Sequence, residues 1–255
     1  MLNGTCKCFL GDMHIAALNE TILLVMRFKI AGSLRFLSHA ETLRVFQRAC
    51  VRAGIRVRYS QGFNPRPRLS LPLPRPVGVE SADELLCLRV AGGPWSVHPG
   101  RDERRATIHK ERIKAELSTQ LPEGCELLSL SIAEANRSFR PCSATYVLVV
   151  WPEYVNDRLK ATVARLLASD TLNVRRQTAP KNSRPKTQNS KPKDVDVRGF
   201  LKSIELGDET VTVECTISSD GAIRVEEILN LLDLDVEKLA APIRRTRVQW
   251  QVSES

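Results

Sequence analysis

The sequence predicts an α+β fold made of two ferredoxin-like β-α-β-β-α-β halves in tandem. Segments with strand-like alternation and segments with apolar residues spaced by three and four follow one another in the same order twice along the chain. That order is the one found in a ferredoxin-like unit. The 255 residues, 42% of them hydrophobic, are enough for two small domains that each bury a core. We therefore predict an N-terminal half over residues 22–135 and a C-terminal half over residues 136–255.

The first half is predicted to begin with a strand over residues 22–30 that resumes at 34–37. Ser38 is a candidate N-cap for a helix that runs to about Ala53, and Gly54 suits the left-handed conformation in which many helices end. The residues expected on the buried face of this helix are Leu43, Phe46, Cys50 and Ala53.

Strict alternation over residues 55–59 predicts a half-buried strand after this helix. A Pro-rich loop over 61–76, a strand over 84–90, a charged amphipathic helix over 101–119 and a strand over 126–132 complete the first half. The inner side of the second helix is expected to carry Ile108, Ile113 and Leu117.

The second half is predicted to repeat this order of elements. They are a strand over residues 144–151, a helix over 152–168, a strand over 172–178, a hairpin of strands over 195–206 and 210–217, a turn at 218–221, a helix over 225–232 and a strand over 243–251. The first of these helices is expected to bury Leu159, Val163, Leu166 and Leu167. Residues 179–193, rich in Lys, Arg, Pro, Asn and Ser, are predicted to form a mobile basic loop.

Apolar runs and short motifs limit the class of protein. The longest apolar runs are far shorter than the roughly 20 residues that a membrane helix needs, so no membrane association is predicted. Residues 1–21 carry no secretory signal and are predicted to be a disordered extension or a misassigned start upstream of Met26. Seven scattered cysteines predict reduced, mostly buried thiols and a cytoplasmic location. The sequence has no phosphate-binding glycine loop and no cluster-binding cysteine motif, so neither a metal nor a cofactor is predicted.

The charge of the chain is concentrated in two regions. The formal net charge is +9, but residues 33–76 alone carry nine arginines and one acidic residue, Glu41, for a net charge of +8. Residues 171–198 carry eight basic and two acidic residues and net +6, so the remainder of the chain is acidic. Two concentrated basic regions predict an anionic partner.

All nine basic residues of the first region are arginines, whose forked donors suit phosphate oxygens and whose planes stack on bases. A spacing of four would place Arg44, Arg48 and Arg52 on one helix ridge. The alternative is a solvated face with internal ion pairs such as Glu41 to Arg44, although one carboxylate cannot neutralise nine guanidinium groups. The residues predicted to bind nucleic acid are Arg35, Arg44, Arg48, Arg52, Arg56, Arg58, Gln61, Phe63, Asn64, Arg66 and Arg68.

The loop over residues 59–70 has the most unusual local sequence. Pro65 and Pro67 are expected to stiffen the backbone and hold the arginines beside them outward, while Gly62 permits a tight turn. Phe63 and Tyr59 are either stacking surfaces for bases or plugs that pack the loop onto the sheet. Gln61 and Asn64 either contact base edges or cap backbone groups.

His39 is the one histidine in a suggestive position, at the start of the first helix and among arginines. A proton-transfer role there would suit an RNA-cleaving or RNA-modifying site. The alternative is a residue that caps or packs the first helical turn. We regard His39 as a candidate only, and a non-catalytic protein is favoured.

Several motifs resemble the radical-SAM-linked family of bacterial proteins. They lie at residues 34–39, in the arginine-bearing helix up to Gly54, at 59–67 and 78–81 and, in the second half, at 195–198 and 243–246. Members of that family are fused to, or encoded beside, cobalamin-binding radical-SAM proteins, often near ribonuclease G-type and ribosomal-protein genes. This chain lacks a cluster-binding cysteine motif, so the resemblance implies a radical-SAM partner supplied by a separate chain.

The leading hypothesis is therefore an RNA-binding accessory protein for tRNA or rRNA modification or processing, acting with that partner. The alternatives are an RNA-processing enzyme that uses His39 and a protein-interaction module that docks on a radical-SAM protein.

Overall fold

The computed structural model describes residues 21–91, 103–177 and 192–254. The chain divides into two compact units, one formed by the chain up to Arg140 together with the C-terminal residues from Gln251, the other by Pro141–Trp250. The predicted extension over residues 1–21, except Thr21, and the predicted mobile loop over 179–193, except its last two residues, lie outside the described residues.

The first unit contains an antiparallel sheet in the order β4-β1-β3, with the short strand β2 paired to β3. Its elements are β1 (Thr21–Ile30), α1 (His39–Arg52), β2 (Leu69–Ser70), β3 (Glu80–Ala91), α2 (Glu103–Ser118) and β4 (Cys125–Glu134). The strands predicted at 22–30, 84–90 and 126–132 and both predicted helices are thus present, with β3 four residues longer at its start.

One core joins both helices to this sheet. Alternate residues of β1 are buried against α1 and α2, and the rings of Phe28 and Phe46 meet edge to face with centroids 4.6 Å apart. Ile113 and Leu117 of α2 pack into the same core, as their spacing predicts. Ile108 was predicted to face the same core, but its side chain lies outside the described part of the chain.

Helix α1 begins and ends where local chemistry dictates. The Ser38 hydroxyl accepts a hydrogen bond from the Glu41 amide at 3.3 Å, and the Glu41 carboxylate accepts one from the Ser38 amide at 2.8 Å, which completes a capping box. After the helix, Gly54 adopts a φ of +68°. Both signals are short-range, and both predictions are confirmed.

Two predicted strand segments of the first unit are wrong. Residues 34–37 lie in and just after a 3₁₀ helix, Gly32–Phe36, because Gly32 with a φ of +65° turns the chain away from β1. Residues 55–59 form only the isolated bridges Val57 to Val90 and Tyr59 to Pro67. A ladder does not extend beyond this bridge, because the Arg66 amide donates to the Ser60 hydroxyl at 2.9 Å and not to a backbone carbonyl.

The second unit has the strand order β10-β5-β9-β8, and its β5–β9 and β8–β9 pairs are antiparallel. A separate antiparallel pair, β6–β7, follows the first helix of this unit. The elements are β5 (Arg137–Val149), α3 (Asp157–Ala168), β6 (Asn173–Gln177), β7 (Pro192–Asp196), β8 (Leu201–Leu206), β9 (Thr210–Thr216), α4 (Val225–Leu231) and β10 (Arg244–Glu254).

Three details of the second unit differ from the prediction. The helix predicted at 152–168 is a 3₁₀ turn, Pro152–Tyr154, followed by α3, because the Asn156 side chain caps the Leu159 amide at 3.2 Å. The strand predicted at 195–206 is interrupted, because the Asp196 carboxylate accepts the amide of Arg198 at 2.9 Å and bends the chain. Leu167 is 38% exposed, since it lies one residue off the buried stripe of α3.

The predicted fold class is confirmed at the level of a mixed α/β protein with mostly antiparallel pairing and, in the described ranges, four α-helices. The tandem ferredoxin-like arrangement stays a prediction.

A half-buried ion pair in the second unit makes stability depend on pH. Arg176 donates two hydrogen bonds to the Glu227 carboxylate, at 2.7 and 2.8 Å. Burial raises the pKa of Glu227, but the hydrogen bonds from Arg176 and from the Arg224 amide outweigh it and leave the pKa below the ordinary 4.5. Because the pKa is depressed in the folded state, the pair stabilises the fold at pH values above the ordinary pKa. This contribution disappears as the pH falls through the folded-state pKa.

We therefore expect Glu227→Gln to lower the free energy of unfolding at pH 7 and to matter less as the pH falls into the acid range, because wild-type Glu227 then takes up a proton as well. Urea denaturation of both proteins across this range measures the difference. Glu214→Gln, which alters a more exposed ion pair with Lys202, serves as the control with a smaller effect. A gap for Glu227→Gln that does not shrink as the pH falls towards acid unfolding would contradict the assignment.

Candidate nucleic-acid interface

A single guanidinium group, that of Arg75, organises the two irregular segments that precede α1 and β3. Its two terminal nitrogens donate hydrogen bonds to five backbone carbonyls, four of them at 2.7–3.2 Å. The acceptors are the carbonyls of Leu34, Arg35, Leu37, Pro76 and Val79. Arg75 therefore has a structural role, although it contributes to the charge of the basic segment.

Two further contacts join the same segments. The Gly78 amide donates to the carbonyl of Arg35 at 2.8 Å, and the buried carboxylate of Glu80 accepts from the amide of Gly32 at 2.9 Å. The motifs at 34–39 and 78–81 thus meet in space, and together they fix the entry of the chain into α1.

Helix α1 presents two open guanidinium groups rather than three. Arg44 and Arg48 are exposed, and in the described ranges their side chains make no hydrogen bond and no ion pair. Arg52 instead donates to the side-chain and main-chain oxygens of Gln120, at 3.0 and 2.6 Å. Of the predicted ridge of three arginines, two therefore remain open, because Arg52 is hydrogen-bonded to the loop after α2.

The alternative of an internal ion pair between Glu41 and Arg44 is wrong. The Glu41 carboxylate is held by the hydroxyl of Ser38 at 2.6 Å and by its amide at 2.8 Å. These hydrogen bonds, with a smaller effect of the Arg44 charge, lower the pKa of Glu41. The helix cap thus occupies the one carboxylate of the basic segment.

Residues 56–68 form a hairpin-like loop, here called the arginine hairpin, that is attached to β3. The Arg58 amide donates to the carbonyl of Arg89 at 2.8 Å, and the Arg89 amide donates to the carbonyl of Arg68 at 2.9 Å. The Arg68 amide donates to the carbonyl of Arg58 at 2.7 Å. Because both arms are bonded to each other and to the same residue of β3, the base of the arginine hairpin is fixed.

The tip of the arginine hairpin lies in solvent. The Ser60 amide donates to the carbonyl of Arg66 at 2.8 Å, and the Arg66 amide donates back to the Ser60 hydroxyl at 2.9 Å. Beyond this closure the chain turns at Gly62, with a φ of +134°, and residues 61–65 are all exposed. Gln61 and Asn64 do not cap backbone groups within the described residues, so the capping alternative does not apply to them.

Phe63 at this tip has a relative exposure of 107%, and Tyr59 one of 45%. The interpretation of Phe63 as a plug packed onto the sheet is therefore wrong, because the tip extends away from the core that a plug would have to contact.

The remaining arginines divide by what their side chains contact. Five are exposed and make no hydrogen bond or ion pair within the described parts of the chain; we call them the five open arginines. They are Arg44, Arg48, Arg56, Arg66 and Arg68. Arg35 lies over the ring of Phe36, 4.4 Å from its centroid, and donates to the carbonyl of Gly32 at 2.9 Å. Arg58 is half-buried and is not without a partner, so it is not counted among the five open arginines.

His39 lies at the start of α1, as predicted, but not among open arginines. It lines a cavity of about 10 Å³, room for a single water molecule, together with Thr42, Arg75 and Glu84. Its Nδ1 atom is buried and has no hydrogen-bond partner among the described residues. The one arginine of this cavity is Arg75, whose terminal nitrogens are engaged by carbonyls, so the structure does not bring a phosphate-binding group to His39.

Sequence reasoning missed Arg75, Arg89 and Gln120, the residues that position the site. Each acts through a partner distant in the chain, and the immediate sequence neighbours of Arg89 and Gln120 carry no signal of it. The prolines on both sides of Arg75 are the one local hint, because a proline-rich segment cannot satisfy its carbonyls within a regular element.

Four of the described cysteines, Cys50, Cys87, Cys125 and Cys215, are buried and therefore poorly reactive. Burial raises the pKa of Cys50, Cys125 and Cys215 to about 12 and that of Cys87 to about 11. The prediction of mostly buried thiols is confirmed for these four. Within the described residues, no three His, Cys, Asp or Glu side chains lie close enough to hold a metal ion. In the same ranges, no helix is both long and apolar enough to span a bilayer.

A protein-family model, described as an uncharacterized protein conserved in bacteria (DUF2344), matches residues 24–227. The chain belongs to this family. The matched range of DUF2344 includes α1, the arginine hairpin and most of the second unit. No curated protein matches the chain. Family membership confirms the expectation of an uncharacterised bacterial family, whereas the link to radical-SAM proteins stays a prediction.

The role of Arg75 gives a stability prediction. Arg75→Lys keeps the charge but loses the planar fork that reaches five carbonyls, so we expect the free energy of unfolding to fall by about 2–4 kcal/mol. Urea denaturation measures this loss. Arg66→Lys, at an open arginine, is the matched control and should change stability by less than about 0.5 kcal/mol. Equal effects of the two substitutions would contradict a structural role for Arg75.

Proposed function

We propose that this protein binds RNA as an accessory factor in tRNA or rRNA modification or processing and works with a radical-SAM partner from a separate chain. The observation that carries the proposal is the set of five open arginines on α1 and the arginine hairpin, without a carboxylate partner in the described ranges. Exposed guanidinium groups that lack internal counterions attract phosphates from solution.

The spacing of the open arginines favours an extended polyanion over a small anion. Arg44 and Arg48 lie one helical turn apart, about 6 Å along the axis of α1. Arg66 and Arg68 are two residues apart on extended backbone, about 6–7 Å. The four open guanidinium groups of these pairs carry more positive charge than a single phosphate neutralises, whereas a nucleic acid supplies successive phosphates.

Rigid support strengthens this interpretation. Leu43 of α1, together with Val57 and Leu69 at the base of the arginine hairpin, packs against the core of the first unit. The backbone that carries these arginines loses little further freedom on binding, so the ordering cost is confined to the side chains. The choice of tRNA or rRNA and of a radical-SAM partner rests on the motif resemblance alone.

A second candidate function, a protein-interaction module that docks on the radical-SAM protein, is favoured by a separate apolar surface. Phe36 and Val77 are 58% and 61% exposed, and they lie on segments joined by the hydrogen bond from Gly78 to Arg35. Exposed apolar side chains held on a fixed backbone suit a protein partner.

The RNA-binding proposal predicts a specific loss when two open arginines are neutralised. We expect Arg44→Gln/Arg48→Gln to weaken binding of bulk tRNA at least tenfold at 50 mM KCl and to lower the slope of log affinity against log salt by about one to two. Filter binding between 50 and 200 mM KCl measures both quantities. The control, Arg165→Gln/Arg247→Gln, removes the same charge from exposed positions of the second unit.

Three outcomes would reject the proposal: no retention of RNA at low salt, a flat salt dependence of the wild type, or equal losses in the test and control variants. Equal losses would show that net charge, not the placement of the arginines, determines the binding.

The docking candidate predicts that a radical-SAM protein, identified by mass spectrometry, co-purifies with the chain after nuclease treatment and is lost in Phe36→Ser/Val77→Ser. Val236→Ser, at a valine of the second unit that is 73% exposed, is the control and should retain the partner. Co-purification that disappears with nuclease alone would show bridging by RNA instead of docking.

A further inference from the structure

Phe63 has the highest exposure of the large apolar side chains in the described ranges. Its neighbours at the tip, Gln61, Gly62, Asn64 and Pro65, are exposed as well, so the ring lies on no apolar surface formed by the described residues. A phenyl ring in this position has both faces available to a ligand.

The backbone holds the ring in that position. The reciprocal hydrogen bonds between Ser60 and Arg66 close the tip, and the bonds from Arg58 and to Arg68 attach the arms to β3. Pro65 fixes one further φ angle within the tip. Because the base is fixed before a ligand arrives, the entropic cost of ordering the hairpin on binding is small.

The charge around the ring has one sign. Residues 42–79 contain no Asp or Glu, and Arg66 and Arg68 follow the tip within five residues of Phe63. An aromatic face beside guanidinium groups is the combination that binds single-stranded nucleic acid, since bases stack on the ring while phosphates accept from the arginines. An apolar protein partner would gain nothing from the surrounding positive charge.

The exposure of the Phe63 ring favours single-stranded RNA over duplex RNA as the ligand. In an A-form duplex the bases are paired and stacked, and the major groove is too deep and narrow for side chains to reach base faces. Phosphate contacts alone would not need an aromatic ring at the tip. An exposed ring is useful where a base is already unstacked, as in loops, bulges and free ends.

We propose that the arginine hairpin is specific for single-stranded RNA and stacks an unpaired base on Phe63, while Arg66 and Arg68 bind the phosphates beside that base. This inference rests on the proposed RNA-binding function and names the class of RNA. It also assigns recognition to the tip and general attraction to the arginines of α1.

The test compares one labelled 12-nucleotide RNA strand with the blunt duplex of the same sequence, at equal salt, by fluorescence anisotropy on the full chain. We expect the wild type to bind the single strand at least tenfold more tightly. Phe63→Leu should lose about 5- to 100-fold for the single strand and leave the weak duplex binding unchanged. Phe63→Tyr keeps the aromatic face and should retain affinity.

A second readout reports stacking directly. With 2-aminopurine in the strand, the wild type and Phe63→Tyr should quench its fluorescence on binding, whereas Phe63→Leu should not. Both variants should unfold at the wild-type urea concentration, because the Phe63 side chain is fully exposed.

The outcomes separate the two proposals. Binding of neither RNA rejects RNA binding altogether. Equal binding of strand and duplex, unaffected by Phe63→Leu, overturns the single-strand assignment and leaves the RNA-binding function standing. Phe63-dependent binding to vesicles of anionic lipid, without binding to either RNA, would assign the tip to a membrane and overturn both.

Discussion

The five hydrogen bonds of Arg75 are the constraint on which the candidate site depends. They satisfy carbonyls of two irregular segments that lie about forty residues apart in sequence, one leading into α1 and the other into β3. Two of the five carbonyls also accept local amides, Leu34 from Leu37 at 3.1 Å and Pro76 from Val79 at 3.3 Å, but neither segment forms a regular hydrogen-bonded ladder. Because α1 starts from one of these segments, the direction in which Arg44 and Arg48 project depends on a residue that itself contacts no ligand.

Arginine serves two opposite purposes in the first unit, and the same donor geometry underlies both. A guanidinium group that finds carbonyls, as Arg52 and Arg75 do, stabilises the fold and has fewer donors left for an anion. A guanidinium group that finds none stays hydrated and available. The proposed interface therefore depends less on the number of arginines than on the absence of hydrogen-bond acceptors near five of them in the described ranges, and the oxygens of Glu41 are hydrogen-bonded in the cap of α1.

Elements with short-range determinants were predictable. Helix α1, with Ser38 before it and Gly54 after it, and strand β1, with its apolar run, follow from signals within a few residues. The 3₁₀ helix before α1 and the isolated bridges at 55–59 were not predictable. Alternating apolar and polar residues also occur in irregular segments, whose backbone groups hydrogen-bond to partners distant in the chain. The same limit applied to Phe63, because an aromatic residue in a loop looks the same whether it packs or projects.

The linear sequence was sufficient to predict the order of most local elements, the location of the basic segment and its lack of acidic residues. These are properties of neighbouring residues along the chain. Which arginines remain open was decided only in three dimensions, by the carbonyls of Leu34 and Leu37 for Arg75 and by Gln120 for Arg52. Charge is additive along a sequence, whereas hydrogen-bond acceptors become available only where folding places them. The exposure of Phe63 has the same origin, since the anchoring of the arginine hairpin on Arg89 determines how far its tip extends into solvent.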